Sequence, residues 1–363
     1  MSRLALTERL NQPMRQPKEL LAYTADGPKV YLDDRALRYH YFPRAEWQRG
    51  LNLGTGFEQY KEKNETGIHL DSILTALIEH ERQKGRVDAK IITWRGVLTR
   101  IISLCKSPEE DLSFNVTGFD GQVFIEYDEE HDRQKKAQEK PFPMGKKFGY
   151  TGYCFEKFAT LPKPWGECTR AEIEGRYKGT ASHGLEYCTL VRSGVGSIKV
   201  VYAGEVDSVE GEKDPKDPLG RYVELKTASA IKHIKQAERF EDKLFLSWLQ
   251  SFLVGTHKVV YAFRDRDLRI TAVEEYKTDK IPSLVKNSKI NPTPRWNGND
   301  AISFYAVVLS WIKDTVEDGK TYKLRHTPNS QFLELVPSDY SLPDRKVSFL
   351  LPEFVEWRES QTK

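Results

Sequence analysis

The sequence predicts one mixed α/β domain, and three observations carry that expectation. Short runs with alternating or continuous apolar character recur along the chain, segments with helical apolar spacing lie between them, and no linker, internal repeat or low-complexity tract separates the two kinds. At 363 residues the chain is long enough to bury a sizeable core as a single unit spanning 1–363.

The elements follow in order. Residues 1–20 are polar, with Pro13 and Pro17, and read as an arm laid over the surface. From Leu70 to Gln83 the positions Ile73, Leu74, Leu77 and Ile78 recur at helical spacing, and Gly85 can end that helix. A second helix is expected from Trp94 to Leu104. Phe114 to Tyr127 alternates around Asp120-Gly121, a strong hairpin signal. Between His131 and Lys147 stand Arg133, Lys135, Lys136, Lys140, Lys146 and Lys147 with two prolines; this stretch reads as a solvated loop or as a basic flap beside an RNA path. Arg192 to Lys226 reads as two or three strands, the last pair joined across the Pro/Gly-rich loop Glu210 to Arg221 as a long hairpin. From Ala237 to Val254, Leu244, Phe245, Leu246, Trp248, Leu249, Phe252 and Leu253 cover most of a helix circumference, which predicts a buried central helix. Lys258 to Phe263 and Leu268 to Glu274 form a further hairpin, Ala301 to Val316 an amphipathic helix, and short strand-like pieces precede Phe354 and Trp357.

Composition narrows the function classes only a little. A net charge of +3 from 56 basic and 53 acidic residues does not mark a nucleic-acid binder, although it leaves room for a local basic groove. No run of about 18 apolar residues is present, and the start lacks the apolar core of a secretory signal, so a soluble intracellular protein with no membrane association is expected. Cys105, Cys154, Cys168 and Cys188 are far apart with no Cys-x-x-Cys spacing, which predicts free thiols rather than disulfides or a zinc ribbon. The sequons at Asn64 and Asn115 are then chance matches.

Two short segments carry most of the chemical information: Glu205-Val206-Asp207 and Glu224-Leu225-Lys226. In an extended strand, side chains two apart share a face, so each segment presents two polar groups side by side. Acid-x-acid pairs arise by chance about eight times at this composition, so their setting has to decide. Both segments adjoin apolar strand-like residues, where unpaired charge is costly and three converging carboxylates repel unless a cation lies between them. Mg²⁺ or Mn²⁺ suits an all-oxygen donor set and leaves positions for phosphate oxygens. A neighbouring lysine can orient or deprotonate the attacking water and offset charge on phosphorus. A rival set, Asp265-Arg266-Asp267 with Glu275-Tyr276-Lys277, is interleaved with Arg264, Arg266 and Arg269 at an expected turn, where its acids would be solvated and paired.

Three further residues gain meaning beside these pairs. Glu156, after the Gly-rich aromatic run Phe148 to Gly152, reads either as a fourth acid or as a helix N-terminal acid. Gln250 is a lone amide on the apolar helix, either satisfied in the core or placed against a water. Arg95 in Thr93-Trp94-Arg95-Gly96 reads as a surface arginine or a phosphate clamp.

Taken in series, the arginine of Trp94-Arg95-Gly96, Gly-Tyr-Cys-Phe-Glu ending at Glu156, Glu205-Val206-Asp207, Glu224-Leu225-Lys226, and Lys243 to Gln250 resemble the DXO/RAI-type family of RNA 5′-end decapping nucleases. The resemblance is strongest to the fungal nuclear RAI-type branch and extends over Leu51 to Phe57, Ser182-His183-Gly184 to Gly196, and Phe354 to Glu359. It implies two packed mixed β-sheets flanked by helices, with a core similar to that of other Glu-x-Lys nucleases at about residues 148–263. It implies a metal shell of Glu156, Asp207, Glu224 and the Leu225 carbonyl, with Glu205 and Gln250 as ligands directly or through water, holding two divalent cations. Lys226 would act on the water or the transition-state phosphate, and Arg95 would hold the RNA 5′ end. The implied reaction removes pyrophosphate from triphosphate RNA or the dinucleotide from incompletely methylated caps, and NAD caps in some members. The implied setting is the nucleus, as a monomer apart from a nuclear 5′-to-3′ exoribonuclease partner. Two other classes remain open on the residues: a stabilising partner of that exoribonuclease with chemistry secondary, and a DNA exonuclease built on the same metal core.

Overall fold

The computed structural model describes residues 1–62, 69–140, 142–182 and 184–361; Asn64 and His183 lie outside them. Its strands form two mixed sheets. The larger has ten strands in the order Ser2–Ala5, Phe332–Ser338, Thr321–His326, Leu112–Phe119, Gln122–Tyr127, Ile91–Trp94, Ile198–Glu205, Glu186–Val195, Met14–Asp26 and Lys29–Tyr31. The smaller has six, Ile270–Lys277, Lys258–Arg264, Tyr222–Ser229, Ser208–Val209, Tyr39–His40 and Thr160–Leu161.

Period-two alternation explains how these sheets stack. In the large sheet Ile91, Val123, Ile125, Val200 and Tyr202 face one core, while Ile92, Phe124, Val201 and Ala203 face another. The first core lies between the sheets and takes in the helices Arg95–Ser103, Ile234–Val254 and Gly298–Thr315, together with Tyr222, Val259, Tyr261 and Phe263 of the small sheet. The second packs the helices Asp71–Lys84 and Pro352–Gln361 against the outer face of the large sheet. A third core joins Val223, Leu225, Val260 and Ala262 to the helix Gly145–Ala159 on the outside of the small sheet. Helix, sheet, helix, sheet, helix is therefore the layer order, the two-sheet arrangement that the resemblance implied.

Several sequence expectations need correction. Residues 1–20 do not lie as an arm: Ser2–Ala5 pairs with Phe332–Ser338, and Met14–Asp26 pairs with Glu186–Val195. Buried Leu4 and the half-buried apolar positions of the second strand supply packing that the polar composition concealed. The basic stretch after His131 is not a loop throughout. Glu129–Gln138 is a helix capped by the Asp128 side chain, with Glu129, Glu130 and Asp132 in its first turn and Lys135 and Lys136 in its last, so its charges complement the helix dipole. Leu246 on the central helix is exposed rather than buried. The long hairpin around Glu210 to Arg221 has only Ser208–Val209 as its first arm, because Ile198–Glu205 belongs to the other sheet. The Asp120-Gly121 turn stands as expected, with φ of 52° and 69°, the left-handed pair that a two-residue hairpin requires.

All four cysteines are free, and Asn115 is buried with its amide donating to Glu126. No helix of the described residues is long and apolar enough to cross a membrane.

One buried polar network ties the C-terminal helix down. Arg358 donates to both oxygens of Glu81 at 2.8 and 2.7 Å and to Asp120 at 2.8 Å, with the Arg358 and Glu81 side chains each 2% exposed. Removing one member of such a pair leaves the other charge buried alone. Arg358→Ala is therefore expected to cost about 3–5 kcal/mol, measured as a lower urea midpoint with an unchanged slope.

Candidate active site at the junction of the two sheets

The chain passes from the large sheet to the small one between Glu205 and Ser208, and the site is built at that crossing. The large-sheet strand ends at Glu205, so Asp207 is not its next same-face neighbour as a continuous strand would make it. Asp207 instead reaches across the junction, where its Oδ2 accepts the Leu225 backbone N–H at 2.6 Å. Alternation puts Glu224 and Lys226 on the face of Tyr222 and Ala228, toward the helical layer between the sheets.

Glu224 is the most enclosed of the site's acids, its side chain 4% exposed. Lys226 Nζ lies 2.6 Å from its Oε1, and Arg95 Nη1 donates to its Oε2 at 3.2 Å. Burial opposes ionisation, but Lys226 and Arg95 overcome it and hold the Glu224 pKa down at about 2. In turn Glu224, then Asp207, keep Lys226 protonated beyond the ordinary lysine range against the effect of burial. Arg95 opens the helix Arg95–Ser103 directly after the strand Ile91–Trp94, and lies across Gly204, where a Cβ would sit 3.2 Å from Arg95 Cδ. Gly96 is required beside it because a Cβ there would fall 2.0 Å from the Tyr127 hydroxyl.

The remaining acids are pushed the other way. Burial, then Glu224, raises Asp207 to about 6. Glu205 is solvent-exposed at the strand end, yet the protein packed about its carboxyl, then Asp207 and Glu186, raises it to about 8. Burial, then Asp207 and Glu205, lifts Glu156 well above the carboxylate range. Glu156 is not a helix N-terminal acid: it occupies the last turn of Gly145–Ala159. These acids sense one another through space, yet among the described residues no three acidic, histidine or cysteine side chains close on a common point as metal ligands do. The convergence expected from sequence is thus looser than drawn, because like charges separate and Glu224 turns to its two cations. The donor set is nevertheless all oxygen with uncompensated negative charge, which fits a hard divalent cation.

Gln250 is half-buried on Ile234–Val254. One turn before it, Ser247 Oγ and Tyr261 OH are 2.6 Å apart, and Tyr261 pairs in register with Lys226. One turn after it, Val254 packs 3.2 Å from the Cβ position of Gly204. Helical spacing therefore puts Gln250 on the site face. The rival acids lie where solvation was expected, Asp265 accepting the Arg269 backbone N–H in a turn and Glu275 pairing with Lys258 at 3.1 Å.

Two residues at the site were not legible beforehand. Glu186 joins the acidic set through strand pairing, two residues beyond Cys188 of the Glu205↔Cys188 pair. Arg38 donates to Thr160 Oγ1 at 3.3 Å, and Thr160 in turn donates to the Glu156 backbone carbonyl, so Arg38 reaches the C-terminal end of the helix that carries Glu156, with no carboxylate partner among the described residues. Neither sits in a pattern that sequence spacing could pick out.

A family profile described as RAI1 like PD-(D/E)XK nuclease matches residues 15–355. The chain belongs to that family. Curated relatives include "Decapping nuclease RAI1" of Candida albicans, 35% identical over 96% of each chain, and that of Yarrowia lipolytica, 36% identical over 99% of this chain and 100% of the relative. Among solved structures, Candida albicans Rai1 in complex with pU5-Mn²⁺ superposes with a TM-score of 0.93 at 33% identity over 99% of both chains. Scheffersomyces stipitis Rai1 with (3′-NADP)⁺ and calcium ion gives 0.90 at 33% identity, over 99% of this chain and 100% of that one. The RAI1-like fold thus extends across this whole α/β architecture.

The raised acids have a stability consequence. Glu205 and Asp207 keep protons in the folded state at pH values where the unfolded chain has lost them, so stability falls as pH rises from about 4 through about 8. In chelator, the thermal midpoint is expected to drop over that window. Glu205→Gln is expected to raise the midpoint at pH 8 by about 2 °C and to leave it unchanged at pH 4.

Proposed function

We propose that this chain is a divalent-cation-dependent hydrolase of RNA 5′ ends that leaves 5′-monophosphate RNA. Its substrates are 5′-triphosphate RNA, which loses pyrophosphate, and incompletely methylated capped RNA, which loses the cap dinucleotide; NAD-capped RNA is a third candidate. The observation that carries this reading is that Glu156, Glu205, Asp207 and Glu224 act on one another at the sheet junction, where Glu224 is bonded to Lys226 and Arg95. Family membership and the decapping nucleases among its relatives support it.

Glu156, Glu205, Asp207, Glu224 and the Leu225 carbonyl are the donors for Mg²⁺ or Mn²⁺, two ions in the fullest arrangement. When bound, such ions lower the pKa of water and offset charge on the attacked phosphate. The chain's own groups do the rest. Lys226, kept protonated by Glu224, acts as a fixed cation toward the phosphoryl oxygens rather than as a base. Arg95, anchored by Glu224 through Nη1, has further N–H groups for the 5′ phosphate. Gln250 orients water from the helix face. With Mn²⁺, release of pyrophosphate from triphosphate RNA is expected, and Glu224→Ala, Asp207→Ala or Lys226→Ala should each lower kcat at least about 100-fold. Full activity in those variants, or preference for matched DNA 5′ ends, would overturn the reading.

The monophosphate product suits a nuclear 5′-to-3′ exoribonuclease, and we extend the proposal to a complex with that enzyme in the nucleus. Trp165 supports a docking role: it is 59% exposed and stacks at 6.2 Å on Tyr41, which Arg176 covers in turn. Exposed tryptophan on a braced base is a common anchor at interfaces. Trp165→Ala is expected to lose the exoribonuclease from a nuclear-extract pull-down while pyrophosphate release persists; retention of the partner would remove Trp165 from the interface.

A further inference from the structure

The ten-stranded sheet leaves one long edge open. Met14–Asp26 pairs with Glu186–Val195 along one side, but on its other side Lys29–Tyr31 meets only Thr24–Asp26. Among the described residues no backbone bond reaches residues 16–22 from that side. The N–H and C=O groups of such an edge are a template for a further strand.

The face beside this edge carries cations that nothing answers. Lys18 and Arg192 stand directly opposite each other on the paired strands, which puts their Cβ atoms about 5 Å apart on one face. That face is the outer one, since Val191 packs between the sheets and Leu190 in the outer core. Like charges so placed repel, and among the described residues neither side chain has a hydrogen bond or an ion pair. Arg15 and Lys199 flank them on the same face, one on either side of Gly194. Arg15 Nε donates to the Gly196 carbonyl at 2.7 Å, and Lys199 pairs with Asp88, the one acid bonded to these four cations among the described residues. Glu19, the acid next to Lys18, turns away between the sheets, where its Oε2 accepts from Thr189 and Tyr222 at 2.7 and 2.8 Å. On the covering helix Asp71–Lys84, burial, then Lys84, pushes the pKa of His80 down, and Arg192 adds to this against Glu81.

The patch is separate from the acidic site. Lys199 stands six residues before Glu205 on one strand, about 20 Å away, and Leu77, Leu190, Val201 and Ala203 fill the buried ground between.

We infer that an extended acidic segment of another protein adds to the open edge of Met14–Asp26 as a further strand, with carboxylates at alternate positions facing Lys18 and, across it, Arg192. Side chains two apart on a strand share a face, so acids at alternate positions meet the Lys18 row and the Arg15 row in turn. Backbone bonds along the edge hold the segment, and the unanswered cations choose it. Pro17 and Lys18 reject the commoner apolar strand, which makes the edge selective. A peptide uses an open backbone edge, whereas the phosphates of a nucleic acid have no such pairing to make.

Fluorescence anisotropy of a labelled peptide alternating Glu and Val tests this on the full chain. Wild type is expected to bind it less well as salt rises, and to bind the counterpart alternating Lys and Val at least about tenfold more weakly. Hydrogen exchange is expected to slow at the amides between residues 16 and 22 when the acidic peptide is bound, a backbone readout that loose charge attraction does not move. Lys18→Glu/Arg192→Glu should reverse the preference between the two peptides. Lys18→Glu alone puts an acid opposite Arg192, so it should lose the acidic peptide and raise the thermal midpoint by about 1 °C. Equal binding of the two peptides, unchanged exchange along the edge, or a lower midpoint in Lys18→Glu would overturn the inference. Binding of a short RNA duplex at Lys18 and Arg192, with none of the acidic peptide, would overturn it in favour of a nucleic-acid surface. None of these readouts depends on hydrolysis, so the 5′-end reading stands or falls separately.

Discussion

A buried carboxylate held between two cations organises this molecule. Glu224 belongs to the small sheet, Lys226 to the same strand two residues on, and Arg95 to the helix that follows a strand of the large sheet. Their contacts at 2.6 and 3.2 Å make charge pairing part of the way the two sheets meet. A carboxylate so enclosed is tolerable only when cations answer it, and each cation is likewise costly without it. The position of the strand ends, the approach of the helix and the glycines that permit that approach all serve this one arrangement.

The same pairing separates the acids into two kinds. Glu224 is locked as an anion, whereas Asp207, Glu205 and Glu156 hold protons more tightly than free carboxylic acids because protein and like charge surround them. One group of the site thus fixes the lysine and arginine, and the other offers negative charge seeking compensation. A hydrolase of phosphoanhydride and phosphodiester bonds needs both, a fixed positive charge for the phosphoryl oxygens and an oxygen-rich surface for hard cations. The helix carrying Glu156 extends this division outward, since its buried face closes the third core and its open face leads away from the acids.

Much of this was legible in the residues. Ile73, Leu74, Leu77 and Ile78 announce their helix because 3.6-residue spacing survives any context, and Asp120-Gly121 announces its turn because few residue pairs accept two left-handed conformations. Glu-x-Lys in an apolar strand announces a site because burial makes charge expensive. The misreadings have an equally physical origin. Polar strands at the N-terminus were hidden because an edge strand needs backbone partners more than apolar side chains, and the strand that Ser2–Ala5 pairs with begins at Phe332. The Glu129–Gln138 helix was hidden because it is polar all round, so its only signals are the cap and the dipole-matched charges.

By itself the sequence determined the local grammar and the chemical inventory: which segments are helix or turn, which acids and lysine lie on apolar strands, and which ordered set of motifs resembles a known nuclease family. Tertiary structure alone decided that Ile198–Glu205 and Tyr222–Ser229 lie in different sheets, that Asp207 reaches a backbone N–H across their junction, that Arg95 grips Glu224 from 129 residues away, and that Glu186 borders the same acids. The reason is that electrostatic partnership acts over a few ångströms in space with no regard for separation along the chain, and only the packing of two sheets brings these groups within that range.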